Sequence, residues 1–227
     1  MAEVWSYGVT TVPQRVTTLL PPTLKSLARA GFDCPHLFVD GSVKEVSGVS
    51  SITQREQPVG AFGNWMLAAW ELYVREPQAR LYAIFQDDIL MCRGVREYVE
   101  QCDFPKMGYL NLFTFAGNEI IVSTKEKGWC KSDQLGRGAV ALVFSHPTLT
   151  TLLQQSHMVN KPQLPKGDRN VDGAIQHALV RQAGITEYIH NPSLVQHTGC
   201  VSVIGNHRHP AAKTFPGESF DITKAVI

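Results

Sequence analysis

Several things are missing from this chain, and each absence removes a class of function. No apolar run reaches the roughly 18–20 residues that a membrane span needs. The opening Met1-Ala2-Glu3-Val4-Trp5 has no charged region followed by an apolar stretch, so no secretory signal is expected. Cysteines are few and scattered: Cys34, Cys92, Cys102, Cys130 and Cys200 include no CxxC pair, which removes a zinc ribbon or a dithiol redox motif. Reduced thiols in a cytoplasmic protein are the simplest reading. There is no G-x-G-x-x-G and no G-x-x-x-x-G-K, so neither a dinucleotide fingerprint nor a P-loop is expected. The formal net charge of +1 advertises no basic stripe for nucleic acid, although a local patch remains open. No internal repeat, low-complexity run or linker interrupts the chain.

What remains is 227 residues with 44% hydrophobic content, enough for one α/β domain with a substantial core. Strand-like and helix-like patterns alternate through the first half. Val4 to Val9 reads as a strand, followed by a polar turn at Thr10-Thr11-Val12-Pro13-Gln14-Arg15. Pro21-Pro22 opens a helix with Leu24, Leu27 and Ala28 on one face, and Gly31 is placed to end it. His36-Leu37-Phe38-Val39 is a short strand stopped by Asp40-Gly41-Ser42, and Ser51-Ile52-Thr53 is a candidate third. Gly60 to Gly63 lead into a helix around Asn64–Arg75. The order β-α-β-(β)-α-β predicts an open, mostly parallel twisted sheet with helices on both faces. The second half is less regular. Tyr109–Phe113, Ala139–Phe144 and Glu187–His190 read as strands, Pro147–Gln155 and Asp172–Ala183 as helices. Ala116–Arg137 reads as a long polar loop, a length often reserved for lids or binding loops. From Gly199 onward the composition predicts an irregular tail.

The most informative segment is Phe85-Gln86-Asp87-Asp88-Ile89. The apolar run Leu81-Tyr82-Ala83-Ile84-Phe85 reads as a strand buried on both faces, and it ends in two adjacent carboxylates. Two acids there are costly to bury unless paired or bound to a cation. Carboxylate oxygens suit Mg²⁺ or Mn²⁺, and ligands gather at the carboxyl ends of strands in open α/β sheets. The alternative is an acidic turn with Asp88 capping the next segment. Asp40 ends a second strand and Thr10-Thr11 a third, so the three ends would line one sheet edge. A nucleotide lying there would meet a carboxylate able to accept from a base N–H or a ribose hydroxyl. Gly60-x-x-Gly63 suits close approach of a phosphate to a helix start, or simply a turn. Asp172 sits at a helix start as a cap or first-turn acid, where a carboxylate facing a cleft is also an oriented general base. Asp168 flanks the same stretch. His197 is either a hydrogen-bonded loop histidine or an imidazole ligand for a metal at Asp88. His207-x-His209 offers a weaker metal pair.

From about Tyr7 to His197, these residues together resemble the GT-A fold of nucleotide-sugar-dependent glycosyltransferases. Thr10-Thr11-Val12-Pro13-Gln14-Arg15 looks like the segment that receives the nucleotide, and Val39-Asp40-Gly41 like the acid that contacts base or ribose. Gly60-x-x-Gly63-Asn64 is similar to the glycine–asparagine helix entry. Gln86-Asp87-Asp88 stands in the place of the DxD motif, with Gln at its first position, which puts the metal bond on Asp88. Gly136-Arg137-Gly138-Ala139 resembles the glycine loop beside the donor sugar. Asp172 matches the base of inverting members, and Gln196-His197 the C-terminal metal-ligating histidine.

The resemblance implies one domain with a nucleotide-binding half (about 1–90), an acceptor half (about 91–200) and a tail (about 201–227). It implies Mn²⁺ or Mg²⁺ at Asp88 and His197, a nucleotide-sugar donor with UDP favoured, and direct displacement with Asp172 as base. Thr10, Thr11, Arg15, Asp40, Gly60, Asn64, Gln86, Asp87 and Gly138 would line the donor. Arg208 or Lys213 would add charge to the diphosphate, and Trp129 would stack on a ring or pin its loop to the core. The acceptor is open: a glycan, a protein side chain, a metabolite, or a hydroxylated base in DNA, for which Lys125, Lys127 and Lys131 leave room. Two other readings stand beside this one. A sugar-nucleotide or glycan-binding module would keep the fold without turnover. A sugar-phosphate nucleotidyltransferase would need a glycine-rich basic loop after the first strand, where this chain has Thr-Thr-Val-Pro-Gln-Arg.

Overall fold

The computed structural model describes residues 4–122, 127–159, 170–198 and 211–225. Its centre is an eight-stranded sheet. In chain order the strands are β1 (Trp5–Thr11), β2 (His36–Val39), β3 (Ser51–Gln54), β4 (Leu81–Gln86), β6 (Gly108–Asn111), β7 (Gly128–Lys131), β8 (Ala141–Ser145) and β9 (Thr186–Asn191). They lie side by side as β3-β2-β1-β4-β8-β6-β9-β7. β3, β2, β1 and β4 run parallel, as do β6 and β9, whereas β8 runs against β4 and β6, and β7 against β9. A separate two-stranded antiparallel sheet pairs β5 (Ile89–Met91) with β10 (Val195–His197).

The apolar run of β4 follows from its central place. Leu81, Ala83 and Phe85 point into a core built with α1 (Leu20–Arg29) and α3 (Val95–Gln101). Tyr82 and Ile84 point into a second core with α2 (Gly60–Arg75), α5 (His146–Leu153) and α7 (Val171–Ile175). A strand covered on both faces has no use for alternation. On α2, Trp65, Ala68, Ala69 and Leu72 fall on the face that packs on this second core, as their helical spacing predicts. α1 carries Pro21 and Pro22 in its first turn, and Gly31 beyond its end has φ +98°. Gly is the residue that takes this left-handed conformation without strain.

Three expectations are corrected. Ala116–Arg137 is not one loop, because it contains α4 (Ala116–Val122) and β7. Its short amphipathic pieces fall below the length at which periodicity separates helix or strand from loop. The sheet is mostly parallel, as expected, with β8 inserted in reverse between β4 and β6; hydropathy carries no strand direction. Gly60 to Gly63 form the first turn of α2 and do not precede it. The helix expected over Asp172–Ala183 is α7 continued by a π-helical stretch, Gln176–Gln182, before Gly184. Of the C-terminal segment expected to be irregular, residues 211–225 are described; they hold only a short 3₁₀ turn, Ile222–Lys224, and are built into the fold. Ala212 and Ile222 are buried in the first core, and Arg93 and Asp221 bridge backbone to backbone.

Candidate active site

Parallel pairing sets the ends of β1, β2 and β4 along one edge: Thr11 is level with Val39, and Thr10 with Gln86. Asp87 and Asp88 follow directly, each only 2% exposed. Their backbone is fixed from α1. The buried Thr23 hydroxyl lies 2.8 Å from the Asp87 carbonyl and 3.0 Å from that of Ile89, and accepts the Ile89 N–H at 3.1 Å. Thr198 N–H donates to the Asp88 carbonyl at 2.9 Å.

The two carboxylates have different surroundings. Asp87 Oδ2 accepts from the Thr11 hydroxyl at 2.5 Å, and Oδ1 from Arg15 Nη1 at 2.8 Å. Burial pushes its carboxyl up, against Thr11 and Arg15, which pull it down, while the neighbouring Asp88 charge raises it. Asp88 Oδ2 accepts from the same Arg15 Nη1 at 2.8 Å and lies 3.3 Å from His197 Nε2. Burial opposes its charge too, but the His197 hydrogen bond and charge, with Arg15, outweigh burial and hold the Asp88 carboxyl below its usual range. Asp88 Oδ1 is buried with no hydrogen-bond partner. An orphaned, ionised carboxylate oxygen is costly, and a cation removes the cost. β5 and β10 explain why His197 is here: their antiparallel register puts His197 opposite Ile89, one residue from Asp88. The residues present therefore fit a divalent ion with one carboxylate and one imidazole ligand. No group of three or more His, Cys, Asp or Glu side chains arranged for a metal occurs among the described residues, so water and phosphate oxygens would complete its shell.

Other residues expected at the nucleotide edge are tied into the scaffold. Thr10 Oγ1 donates to the Phe85 carbonyl at 3.3 Å. Asp40 accepts the Val59 and Gly60 N–H groups at 2.7 and 2.9 Å, which fixes the start of α2. Asn64 is buried; its amide donates to the Phe38 carbonyl at 2.9 Å and accepts from Arg55 Nε at 3.2 Å. At Gly60 φ is +79° and the space where a Cβ would stand is open.

Asp172 reaches the acidic motif through one strip of backbone. Its Oδ2 accepts the Gly138 N–H at 2.7 Å. Next along, the Ala139 carbonyl accepts from Gln86 Nε2 at 3.2 Å, and the Val140 carbonyl from Gln86 N–H at 2.8 Å. Gln86 and Asp172 thus hold neighbouring residues of the Gly136–Val140 strip. Gly is required there: at Gly138 φ is +74° and a Cβ would stand 2.6 Å from Phe113, and at Gly136 2.3 Å from the Gln176 Cβ. Asn170, not Asp172, caps α7, accepting the Gly173 N–H at 2.8 Å. Asp172 is the half-buried first-turn acid, where the helix N-terminus favours a negative charge.

Trp129 takes the pinning role. It stacks on Tyr98 with centroids 6.1 Å apart, meets the His190 ring at 4.8 Å, and donates to Cys102 Sγ at 3.3 Å. Lys213 is exposed, beside Ala212, whose N–H and carbonyl are both bound by the Gln196 amide (2.8 and 3.1 Å). Lys127 and Lys131 are exposed as well. Asp168, Lys125, His207, Arg208 and His209 lie outside the described residues.

Two supports were not anticipated. Thr23 carries no local signal, since a threonine inside a helix is ordinary. Glu187 is the second residue of β9, and an acid in a half-buried strand was the available hint. Its carboxylate accepts from Ser132 Oγ at 2.5 Å and Asn111 Nδ2 at 3.1 Å, and Asn111 also donates to the Arg137 carbonyl at 2.9 Å. Gln134 binds both the N–H and the carbonyl of Glu187, at 3.0 and 2.8 Å. Glu187 therefore anchors the 132–138 segment that Asp172 meets.

Among solved structures, the chain is similar to GalNAc-T7, solved with UDP, GalNAc and Mn²⁺. The TM-score is 0.52 at 10% identity, over 87% of this chain and 44% of that one. It is similar also to S. aureus TarS, with TM-score 0.53 at 12% identity, over 82% of this chain and 36% of that one. Both are GT-A glycosyltransferases, and this chain spans less than half the length of either. At these identities the likeness is one of fold, and the fold is GT-A-like. No protein-family model matches the chain, and no curated protein matches it in sequence. No helix among the described residues is long and apolar enough to cross a membrane.

Proposed function

We propose that this chain is a metal-dependent glycosyltransferase that moves a sugar from a nucleoside diphosphate donor, UDP-sugar by preference, to an acceptor hydroxyl. One observation carries the reading: at the end of the central strand, Asp88 keeps a buried oxygen without a partner, 3.3 Å separate its other oxygen from His197 Nε2, and the sheet around them is GT-A-like. UDP and Mn²⁺ in the GalNAc-T7 structure support the choice of donor and ion.

Asp88 and His197 are the residues that would hold Mn²⁺ or Mg²⁺. Such an ion, when bound, neutralises the charge that develops on the leaving nucleoside diphosphate. Thr11 and Arg15 hold Asp87 in place, and Thr23 holds the backbone of the pair. Thr10, Asp40 and the start of α2 form the edge on which the nucleoside lies. Asp172, oriented by the Gly138 N–H and by its place at the start of α7, takes the proton from the acceptor hydroxyl as that oxygen attacks the anomeric carbon. Direct attack inverts the configuration there. Gly138 lets the strip take its left-handed turn packed against Phe113, where a side chain would collide, and so keeps the Gly138 N–H aimed at Asp172.

The test is a thermal-shift screen of UDP, GDP and CMP and their sugars, with and without Mn²⁺. A ligand that binds only the native state stabilises it by about 2.7 kcal/mol at a hundred times its Kd. The expected result is a Mn²⁺-dependent rise in Tm with UDP that Asp88→Ala abolishes. No shift with any nucleotide would contradict the reading.

A further inference from the structure

The acidic pair already holds a cation of its own. Arg15 Nη1 stands 2.8 Å from Asp87 Oδ1 and 2.8 Å from Asp88 Oδ2, so one nitrogen donates to both acids. The three side chains are 13%, 3% and 2% exposed, and solvent screens them weakly. A guanidinium does not shed its proton in a protein, so its charge is permanent. Arg15 ends a short 3₁₀ turn, Pro13–Arg15, that directly follows β1, and its position is set by the sheet. The oxygen it holds on Asp88 is the one that faces His197.

An ion ligated by Asp88 and His197 enters beside a fixed positive charge bonded to its own ligand. Asp88 Oδ1 is unpartnered, so a ligand oxygen is available to the ion, but the field around it is already partly neutralised by Arg15. A nucleoside diphosphate changes this balance. Its oxygens accept from a guanidinium in forked geometry and bridge to a divalent ion, so they offset both positive charges together. Resting on the metal-dependent glycosyltransferase reading, we propose that Arg15 is a resident counter-cation that makes divalent metal binding conditional on the nucleoside diphosphate. Metal alone binds weakly, nucleotide alone binds weakly, and the two bind as a coupled pair. Linkage requires that each tightens the other by the same factor. The protein thereby avoids holding a bare ion in the absence of donor.

The coupling is measured on the full chain by titrating Mn²⁺ and following the free-ion electron paramagnetic resonance signal, with and without UDP. Wild type, Arg15→Gln, Arg15→Lys and Asp88→Ala are compared. The wild type should bind Mn²⁺ weakly alone and more tightly with UDP. Arg15→Gln should bind Mn²⁺ alone about fivefold or more tightly than wild type, with the UDP effect reduced by a similar factor. Arg15→Lys keeps the charge and should keep most of the coupling. Equal or weaker Mn²⁺ binding by a folded Arg15→Gln protein would overturn the proposal. So would tight Mn²⁺ binding by the wild type that UDP leaves unchanged, a result that needs no variant. If Asp88→Ala abolishes Mn²⁺ binding while Arg15→Gln leaves it as in wild type, the metal reading stands and the Arg15 proposal falls. Absence of Mn²⁺ binding in every protein, UDP present, overturns both.

Discussion

Glu187 and His190 lie three residues apart on β9, and burial shifts them so that they act on stability in opposite directions. Burial pushes the Glu187 carboxyl from 4.5 up to about 7, against hydrogen bonds from Ser132 and Asn111 that pull it down. Burial pushes the His190 imidazole from 6.5 down to about 4, against its contact with the Pro192 carbonyl. Between about pH 4.5 and 7 the native state keeps the Glu187 proton that the unfolded chain has released, so this group lowers stability as pH rises. Between about pH 4 and 6.5 the unfolded chain binds a proton that native His190 refuses, so this group raises stability as pH rises. The two slopes oppose one another up to about pH 6.5, and the Glu187 decline continues alone to about 7. Glu187→Gln removes only the falling part. The stability difference between wild type and variant should therefore change by about 3 kcal/mol across this window, as 1.36 kcal/mol per pKa unit dictates. Denaturant unfolding at several pH values checks it, and parallel profiles for the two proteins would refute it. The residue scale also shows where local sequence is mute. The buried pair Asp87 and Asp88 was readable because two acids end an apolar strand. Thr23 and the Arg15 bridge were not, because each depends on a partner more than 60 positions away.

Among the elements, the Gly136–Val140 strip and the β5–β10 pair do the positioning. The strip holds Asp172 on one residue and Gln86 on the next two, so its path sets the distance between Asp172 and the acidic motif. Gly138→Ala places a Cβ 2.6 Å from Phe113 on a backbone with φ +74°. Left-handed strain and overpacking together should cost roughly 2–4 kcal/mol. Turnover should fall further than UDP affinity, because the Asp172 contact moves while Asp88 does not; equal losses in both would refute this role. Much of the element scale was legible. The bounds of β2, β4 and α1 follow from apolar runs, Pro21-Pro22 and Gly31. The reversed direction of β8 was not legible, since alternation is the same in either direction. α4, β5, β7 and β10 are each seven residues or fewer, too short to show a period of their own.

At the scale of the molecule, one sheet carries both the edge that ends in the acidic pair and the Asp172 strip, with a separate core on each face. The sequence order strand, acid, helix, acidic pair, helix-start acid, late histidine was enough to expect this arrangement. It did not foretell that the chain returns after the site to close the first core. Ile222, buried in that core, should cost about 2–5 kcal/mol of stability when cut to Ala. A change below about 0.5 kcal/mol would mean that residues 211–225 lie outside the cooperative unit. The central claim is that Asp88 and His197 hold a divalent ion together with a nucleoside diphosphate. Its most direct test is anomalous X-ray scattering from crystals grown with Mn²⁺ and UDP. A manganese peak within bonding distance of Asp88 and His197, next to the diphosphate, is the expected result. A peak elsewhere, or UDP bound at the sheet edge with no metal beside Asp88, would contradict it.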